Sequence, residues 1–314
     1  MNFVRRVFTS SPASRALTIS ENPVSLSYAL SIFRWHLDSR SPSKAILVHD
    51  FLSSSASWQQ LLHENLGRLP LSQLTPKVPL ELYAVDLRGH NFSKMLPCPT
   101  DETSYTLACA ADIVLHQKQI LRTDAKLVAI GFGALVACQA ALHSPHSGFD
   151  SLTLFVNNPS QLMSCDPSHY SLPSIIGSVP KDIKTLNELN HFLVKTVPNN
   201  VERALIFSNV DQLDGSVSFR FSNEVLNYRN PLKWTKDIDE GVMFTKSVTV
   251  FYCSDEAFPE EVKNKFMKHF PNAKFVKLEE TQGGGISSLY AQGPYVVRTL
   301  LESMDLLGEL EIEK

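Results

Sequence analysis

The stretch with the strongest chemical signature is Lys126 to Leu142, KLVAIGFGALVACQAAL. Leu127 to Ile130 is an apolar run short enough for a buried strand; a Gly-Phe-Gly turn follows, then Ala-rich, helix-favouring sequence. Strand, sharp turn and helix in that order form the setting of a nucleophile elbow, G-x-S-x-G, which presents a serine on a strained turn for attack on an acyl carbon. On that pattern Ala129 and Gly133 are the small flanking residues, Ile130 and Phe132 the variable ones, and Gly131 stands at the serine position. The elbow is legible and its oxygen is not there. A glycine pair between strand and helix could instead open a dinucleotide site, G-x-G-x-x-G. The third glycine is replaced by Val136, and the strand Leu152 to Val156 runs into Asn157 and Asn158 where that motif wants an acid.

Other side chains with chemical potential each have a plainer reading. Cys138 lies two helical turns past the elbow, which suits a buried structural thiol. Ser53, Ser54 and Ser55 follow a strand end without a histidine placed to activate them, and His90 suits a brace for its own turn. Asp86 and Arg88 are expected to pair at a strand end. His143 and His146 flank Pro145 with no third ligand in view, so no metal site is expected.

These residues need elements to position them. Val24 to Asp38 carries two apolar segments, VSLSYAL and IFRWHL, expected to form an antiparallel hairpin at a sheet edge. AILVHD, Ala45 to Asp50, is a buried strand, Trp58 to Leu66 is helical in spacing, and LELYAV is the next strand, ending at Asp86. A covering helix spans Thr103 to Arg122, the elbow follows, and Leu152 to Val156 is another strand. Strand and helix in alternation imply parallel pairing with right-handed crossovers, hence an α/β fold with a doubly wound, mostly parallel sheet. In such sheets ligand sites sit at the carboxyl ends of the strands, where His49, Asp86, Gly131 and Asn157 fall. Residues 160–240 break the alternation and are expected to form an inserted, largely helical cap between the two parts of the core, 21–159 and 241–314. The second part carries strands at Ser247 to Tyr252 and Ala273 to Leu278 and a final amphipathic helix from Pro294.

Of the 314 residues 43% are hydrophobic and 19% charged, with a net charge of −3, enough for a sizeable core and without the basic footprint of a nucleic-acid binder. No apolar run reaches ~18 residues, so no membrane span is expected. Five cysteines without paired spacing, Cys98, Cys109, Cys138, Cys165 and Cys253, read as reduced thiols. Residues 1–20, MNFVRRVFTSSPASRALTIS, hold three arginines, many Ser and Thr and no acid, with Phe3, Val4, Val7 and Phe8 on one side of a short helix. That is the profile of an organellar transit peptide. A mitochondrial location is expected, with plastid or cytoplasm, and a disordered basic tail, as the alternatives.

In series, these phrases resemble the α/β-hydrolase fold superfamily, in particular the branch of small esterases and thioesterases that includes the mitochondrial abhydrolase-domain proteins. LVHDFLSSSASW resembles that branch's strand-HG-loop-W opening, DLRGHNFS resembles its D-x-R-x-H-G-x-S phrase, AIGFGA sits where G-H-S-M-G-G belongs, and Val201 to Leu226 is similar to a cap phrase. The resemblance spans roughly Lys44 to Leu301. It implies a Ser-acid-His hydrolase of esters or thioesters, without a cofactor, whose oxyanion is held by two backbone N–H groups.

Carried over residue by residue, the machinery is missing. The nucleophile position is Gly131. The histidine of a G-H-x-x-H phrase falls at Gly285 within GGGISS, with Ser288 at the second one. The acid belongs either after Leu152 to Val156, where D-x-x-P is replaced, or after Ser247 to Tyr252, where Asp255 or Glu256 remains; Asp255 is a relic acid or a turn residue. The oxyanion-loop HG reads His49-Asp50. Losing the serine or the histidine of such a triad lowers kcat by roughly a million-fold. The expectation is a pseudo-hydrolase that acts by binding a small acyl or ester ligand, or a protein partner, with a pocket between the cap and His49, Asp50, Phe51, Phe132 and Gly285. The alternative is an active ester or thioester hydrolase with a relocated nucleophile.

Overall fold

The computed structural model describes residues 6–8, 22–33, 41–66, 78–143, 148–156, 162, 172–213, 215–228, 242–252, 259–278 and 293–303. Among these, eight strands form one sheet. In chain order they are β1 (Arg6–Phe8), β2 (Tyr28–Phe33), β3 (Ser43–Val48), β4 (Leu80–Val85), β5 (Ala125–Ile130), β6 (Phe149–Val156), β9 (Ser247–Tyr252) and β10 (Ala273–Lys277), the numbers 7 and 8 belonging to a separate hairpin. Their spatial order is β1-β2-β4-β3-β5-β6-β9-β10, with β1 and β2 antiparallel and the remaining six parallel. The doubly wound, mostly parallel sheet expected from the alternation is the observed one.

Parallel strands covered on both faces must be apolar along their whole length, and β3, β5 and β6 accordingly end in unbroken buried runs. Helices α2 (Glu102–His116) and α3 (Phe132–His143) lie on one face, where Tyr105, Ile113, Phe132 and Val136 join a core with Ile46, Val48 and Leu127. Helix α1 (Ser55–Leu66) and the last helix, α9 (Gly293–Ser303), cover the other, where Trp58, Leu62, Val297 and Leu300 pack on Leu47, Val128 and Ile130. Leucine-sized side chains fully buried in this way contribute about 1.5–3 kcal/mol each. Helix α3 is buried from Phe132 to Leu142, which explains why its sequence shows no polar face.

The expectations for Val24 to Asp38 and for Arg6–Phe8 are corrected, and the largely helical reading of 160–240 gains a hairpin. VSLSYAL and IFRWHL do not form a hairpin: Tyr28–Phe33 is one continuous strand across the junction of the two segments, its alternate residues buried, and it pairs antiparallel with β4. The alternation that suggested two strands is the period of one. Residues 160–240 hold helices α4 (Leu172–Gly177), α5 (Leu186–Thr196), α6 (Asn200–Ser208) and α7 (Asn223–Asn227), but also an antiparallel hairpin, β7 (Val210–Leu213) with β8 (Ser216–Phe219). The sequence there, VDQLDGSVSF, carries Asp-Gly between two short β-prone runs, a hairpin signal masked by its place in a helical stretch. In residues 1–20, Arg6–Phe8 are extended and pair with β2 rather than lying in a helix. The remaining α-helix is α8 (Glu260–His269); a 3-10 turn at Asn91–Ser93 and a π-helical turn at Gln117–Leu121, which extends α2, complete the described elements. Among the described residues no helix is long and apolar enough to cross a membrane.

Candidate functional site

Sheet order locates the site. β3 has β4 on one side and β5 on the other, so the connections leaving β3 and β4 diverge at the carboxyl end of β3. This switch point is where doubly wound sheets open a crevice. Register then decides which residues meet. Val48 on β3 is paired with Ala129 on β5, so residues two further on, Asp50 and Gly131, come face to face above the sheet.

The turn at 131 has the geometry of an elbow. Gly131 links β5 to α3 at a φ of +57°, a left-handed conformation in which a side chain is strained and glycine is not. Its N–H donates to Phe155 O on the neighbouring strand at 2.8 Å, and its carbonyl accepts the Ala134 N–H at 3.0 Å. A β-carbon on Gly133 would press on the His49 and Val48 carbonyls, so glycine there permits the close approach of α3 to β3.

The position an elbow serine would fill is taken by another residue. A β-carbon built on Gly131 would fall on the carboxylate of Asp50. Asp50 Oδ1 accepts two backbone N–H groups, that of Phe132 at 2.6 Å and that of Phe51 at 2.7 Å. One donor is the first residue of α3 and the other lies in the loop after β3. Two preorganised N–H groups aimed at one point, beside a helix N-terminus, are what stabilises an oxyanion in acyl transfer. Here that point holds a carboxylate oxygen of the chain itself.

The surroundings brace this arrangement. His49 Nε2 accepts the Leu87 N–H at 3.0 Å, so its proton is on Nδ1, which donates to Asp50 O at 2.6 Å. His90 Nε2 accepts the Leu52 N–H at 3.2 Å and its Nδ1 donates to Arg88 O at 3.1 Å. Burial, and for His49 the neighbouring His90 as well, pushes both imidazoles down, His49 well below the usual histidine range and His90 to about 4. Both rings are therefore neutral, with their single accepting nitrogen already used, and neither can serve as a general base.

Asp86 and Arg88 do not pair with each other, contrary to expectation. Asp86 Oδ1 accepts the Ser55 N–H at the start of α1 at 2.7 Å, and Oδ2 accepts Asn91 Nδ2 at 3.1 Å. Burial outweighs those hydrogen bonds and raises its carboxyl to about 6. Arg88 makes a two-pronged ion pair with Asp112 of α2, at 2.7 and 2.6 Å. Sequence alone does not distinguish a partner two residues away from one 24 residues on, in the second half of α2. His90 does brace its turn, which also bridges to Phe221 beside β8.

The three serines make structural contacts. Ser53 Oγ bonds Ser57 Oγ, Ser54 is fully buried, and Ser55 offers its backbone N–H to Asp86. His191 is an exposed residue of α5. Cys98, Cys109 and Cys138 are free thiols, and burial raises the pKa of each. Gly285, Asp255, Asn157, His146, His169, Cys165 and Cys253 lie outside the described residues. Among those described, no three His, Cys, Asp or Glu side chains gather as a metal site.

His49, Asp50, Phe51 and Phe132 are thus brought together above Gly131, but as a closed cluster: none is more than 1% exposed, and the Phe51 and Phe132 rings meet edge to face. One cavity bounded by described residues, of about 280 Å³, lies elsewhere, between α1 and α6 around Gln60, Leu61 and Leu205. The part sequence reasoning missed is the role of Asp50. Two departures, an added carboxylate at 50 and a deleted side chain at 131, are complementary in size once the two strand ends are set side by side.

No family model matches the chain, and no curated protein matches it in sequence. Solved structures do match in shape. An esterase from a marine microorganism superposes with a TM-score of 0.65 at 18% identity, covering 90% of this chain and 100% of that one. A peroxisomal alpha-beta-hydrolase from Saccharomyces cerevisiae gives 0.65 at 14%, covering 99% and 94%. An esterase from Mycobacterium tuberculosis gives 0.63 at 14%, covering 97% and 92%. At such identities the likeness is one of architecture, and with the strand order and the elbow it assigns this chain the α/β-hydrolase fold.

Proposed function

We propose that this chain is a catalytically degenerate α/β-hydrolase-fold protein that acts by binding, as a scaffold or partner-binding protein in an organelle. The observation that carries this reading is the Asp50 carboxylate lying over Gly131: the elbow has no attacking oxygen, and the space for one is filled. An incoming acyl group would need both that space and the two N–H donors that Asp50 engages. The neutral, fully engaged rings of His49 and His90 supply no replacement base. The closed state of the cluster favours a protein partner at the surface over an acyl ligand at the elbow. Placement in the small esterase and thioesterase branch, and the mitochondrial address of residues 1–20, belong to this reading and rest on the sequence phrases.

The test is direct. Purified full-length protein is treated with a fluorophosphonate probe and with p-nitrophenyl acetate, and is expected to show no stoichiometric serine label and no turnover above a heat-denatured control. A labelled serine, located by peptide mapping, would overturn the reading in favour of a relocated nucleophile. N-terminal sequencing of the protein isolated from mitochondria tests the address; an intact Met1 counts against a cleaved leader.

A further inference from the structure

We propose that Asp50 and Gly131 are an interlocked pair: the Asp50 carboxylate is a built-in occupant of the oxyanion-binding point, and the missing side chain at 131 is what admits it. The proposal goes beyond the absence of a nucleophile, because it says that returning a serine alone cannot rebuild the site.

Three features argue for it. The two N–H donors come from separate elements, the loop after β3 and the first residue of α3, yet meet on one oxygen at 2.7 and 2.6 Å. Charge-assisted bonds of this length are about twice as strong as neutral ones, and the helix N-terminus adds to them. Any β-carbon at 131 would overlap the carboxylate of Asp50, while the backbone there already sits at a φ of +57°. The donors are also buried with the carboxylate, so removing Asp50 leaves two N–H groups in need of an acceptor, at a cost of the kind that favours uptake of another anion.

A double-mutant cycle on the full chain tests the interlock by thermal unfolding. Gly131→Ser alone is expected to lower Tm by roughly 5–10 °C, from overpacking and backbone strain. The same change in an Asp50→Gly background is expected to cost less than half as much. Acetate or formate, compared with chloride at equal ionic strength, is expected to raise the Tm of Asp50→Gly saturably and to leave the wild type unmoved. Equal losses in both backgrounds, or no acetate-specific rise, would overturn the proposal. Should Asp50→Gly not fold, Asp50→Asn keeps an oxygen of the same shape without the charge. The amide proton resonances of Phe51 and Phe132 are then expected to move upfield together, and an unmoved pair would overturn it. None of these readouts is turnover. Ester hydrolysis by the wild type would sink the functional reading alone, and an additive cycle would sink the interlock alone.

Discussion

Asp50 and Asp86 stand just past the ends of adjacent parallel strands and do the same physical work. Each is buried, and each accepts a backbone N–H at the start of a helix, Phe132 of α3 for Asp50 and Ser55 of α1 for Asp86. A carboxylate at a helix N-terminus satisfies an orphan donor and favours the dipole. The difference is position. Asp86 sits away from the elbow and joins α1 to the turn that carries Asn91, whereas Asp50 sits over Gly131, the elbow position that an acyl-transfer site reserves for its nucleophile. The same stabilising device is scaffold in one place and, in the other, closes the site that chemistry would use. An active elbow stores strain and open donors; here both are relieved.

If the Asp86 side is scaffold, its neighbours should fail structurally, and the largest effect is expected at Asp112. Arg88 is 3% exposed and depends on Asp112, which also accepts the Val24 N–H at 2.6 Å. Asp112→Ala strands a buried guanidinium and is expected to destabilise by about 3–5 kcal/mol in urea unfolding. A cost under 1 kcal/mol would show that the turn is not held from α2.

Acid should separate the two regions next. His49, His90 and His116 are buried with pKa values below the ordinary one, His90 to about 4 and His116 to about 3. The unfolded chain therefore binds more protons as pH falls below ~6.5, and each imidazole removes about 1.4 kcal/mol per pH unit until its folded pKa is reached. The stability that these three imidazoles contribute is full above ~6.5 and lost from there toward pH 4. Tm measured across that range should fall, and His90→Gln should flatten the fall. An unchanged slope in that variant would place the acid sensitivity elsewhere.

Much of the fold was legible because it rests on local pattern. The apolar runs of β3, β5 and β6, the Gly-Phe-Gly turn and the helical spacing of α2 each announce themselves within a window of a dozen residues. The elbow position at 131 was likewise read from its own neighbourhood. The occupant was not, because Asp50 reaches Phe132 across 82 residues of sequence, through a register that only the assembled sheet defines. Arg88 finding Asp112 instead of Asp86 is a similar failure: one-dimensional proximity suggested a pair that the directions of the side chains forbid. The single strand Tyr28–Phe33 reads as two segments in the sequence for a different reason. Ser27 and Ser31, polar in type, are buried beside apolar neighbours, so composition there misreports which face is wet.

The sharpest test of the comparison is to neutralise Asp86. Its folded carboxyl is raised from 3.8 to about 6, first by burial. A raised carboxyl pKa means that the folded state holds its proton more tightly than the unfolded state does. Between pH 6 and 4 this group therefore adds stability as the pH falls, opposing the three imidazoles, while above pH 6 its buried charge is a cost. Asp86→Asn retains an oxygen for the Ser55 donors, and the Asn91 amide can turn its own oxygen toward the new NH2 group, which leaves the Phe92 N–H as the donor with a weakened acceptor and trims the gain. The variant is thus expected to be more stable than the wild type by about 1–3 kcal/mol at pH 8, with the gain gone by pH 4. Asp50→Asn should show no such gain at pH 8, because there the charge strengthens two short backbone bonds at the head of α3. Matching pH profiles for the two variants would mean that the carboxylates are equivalent caps, and the distinction between scaffold and occupied elbow would fall.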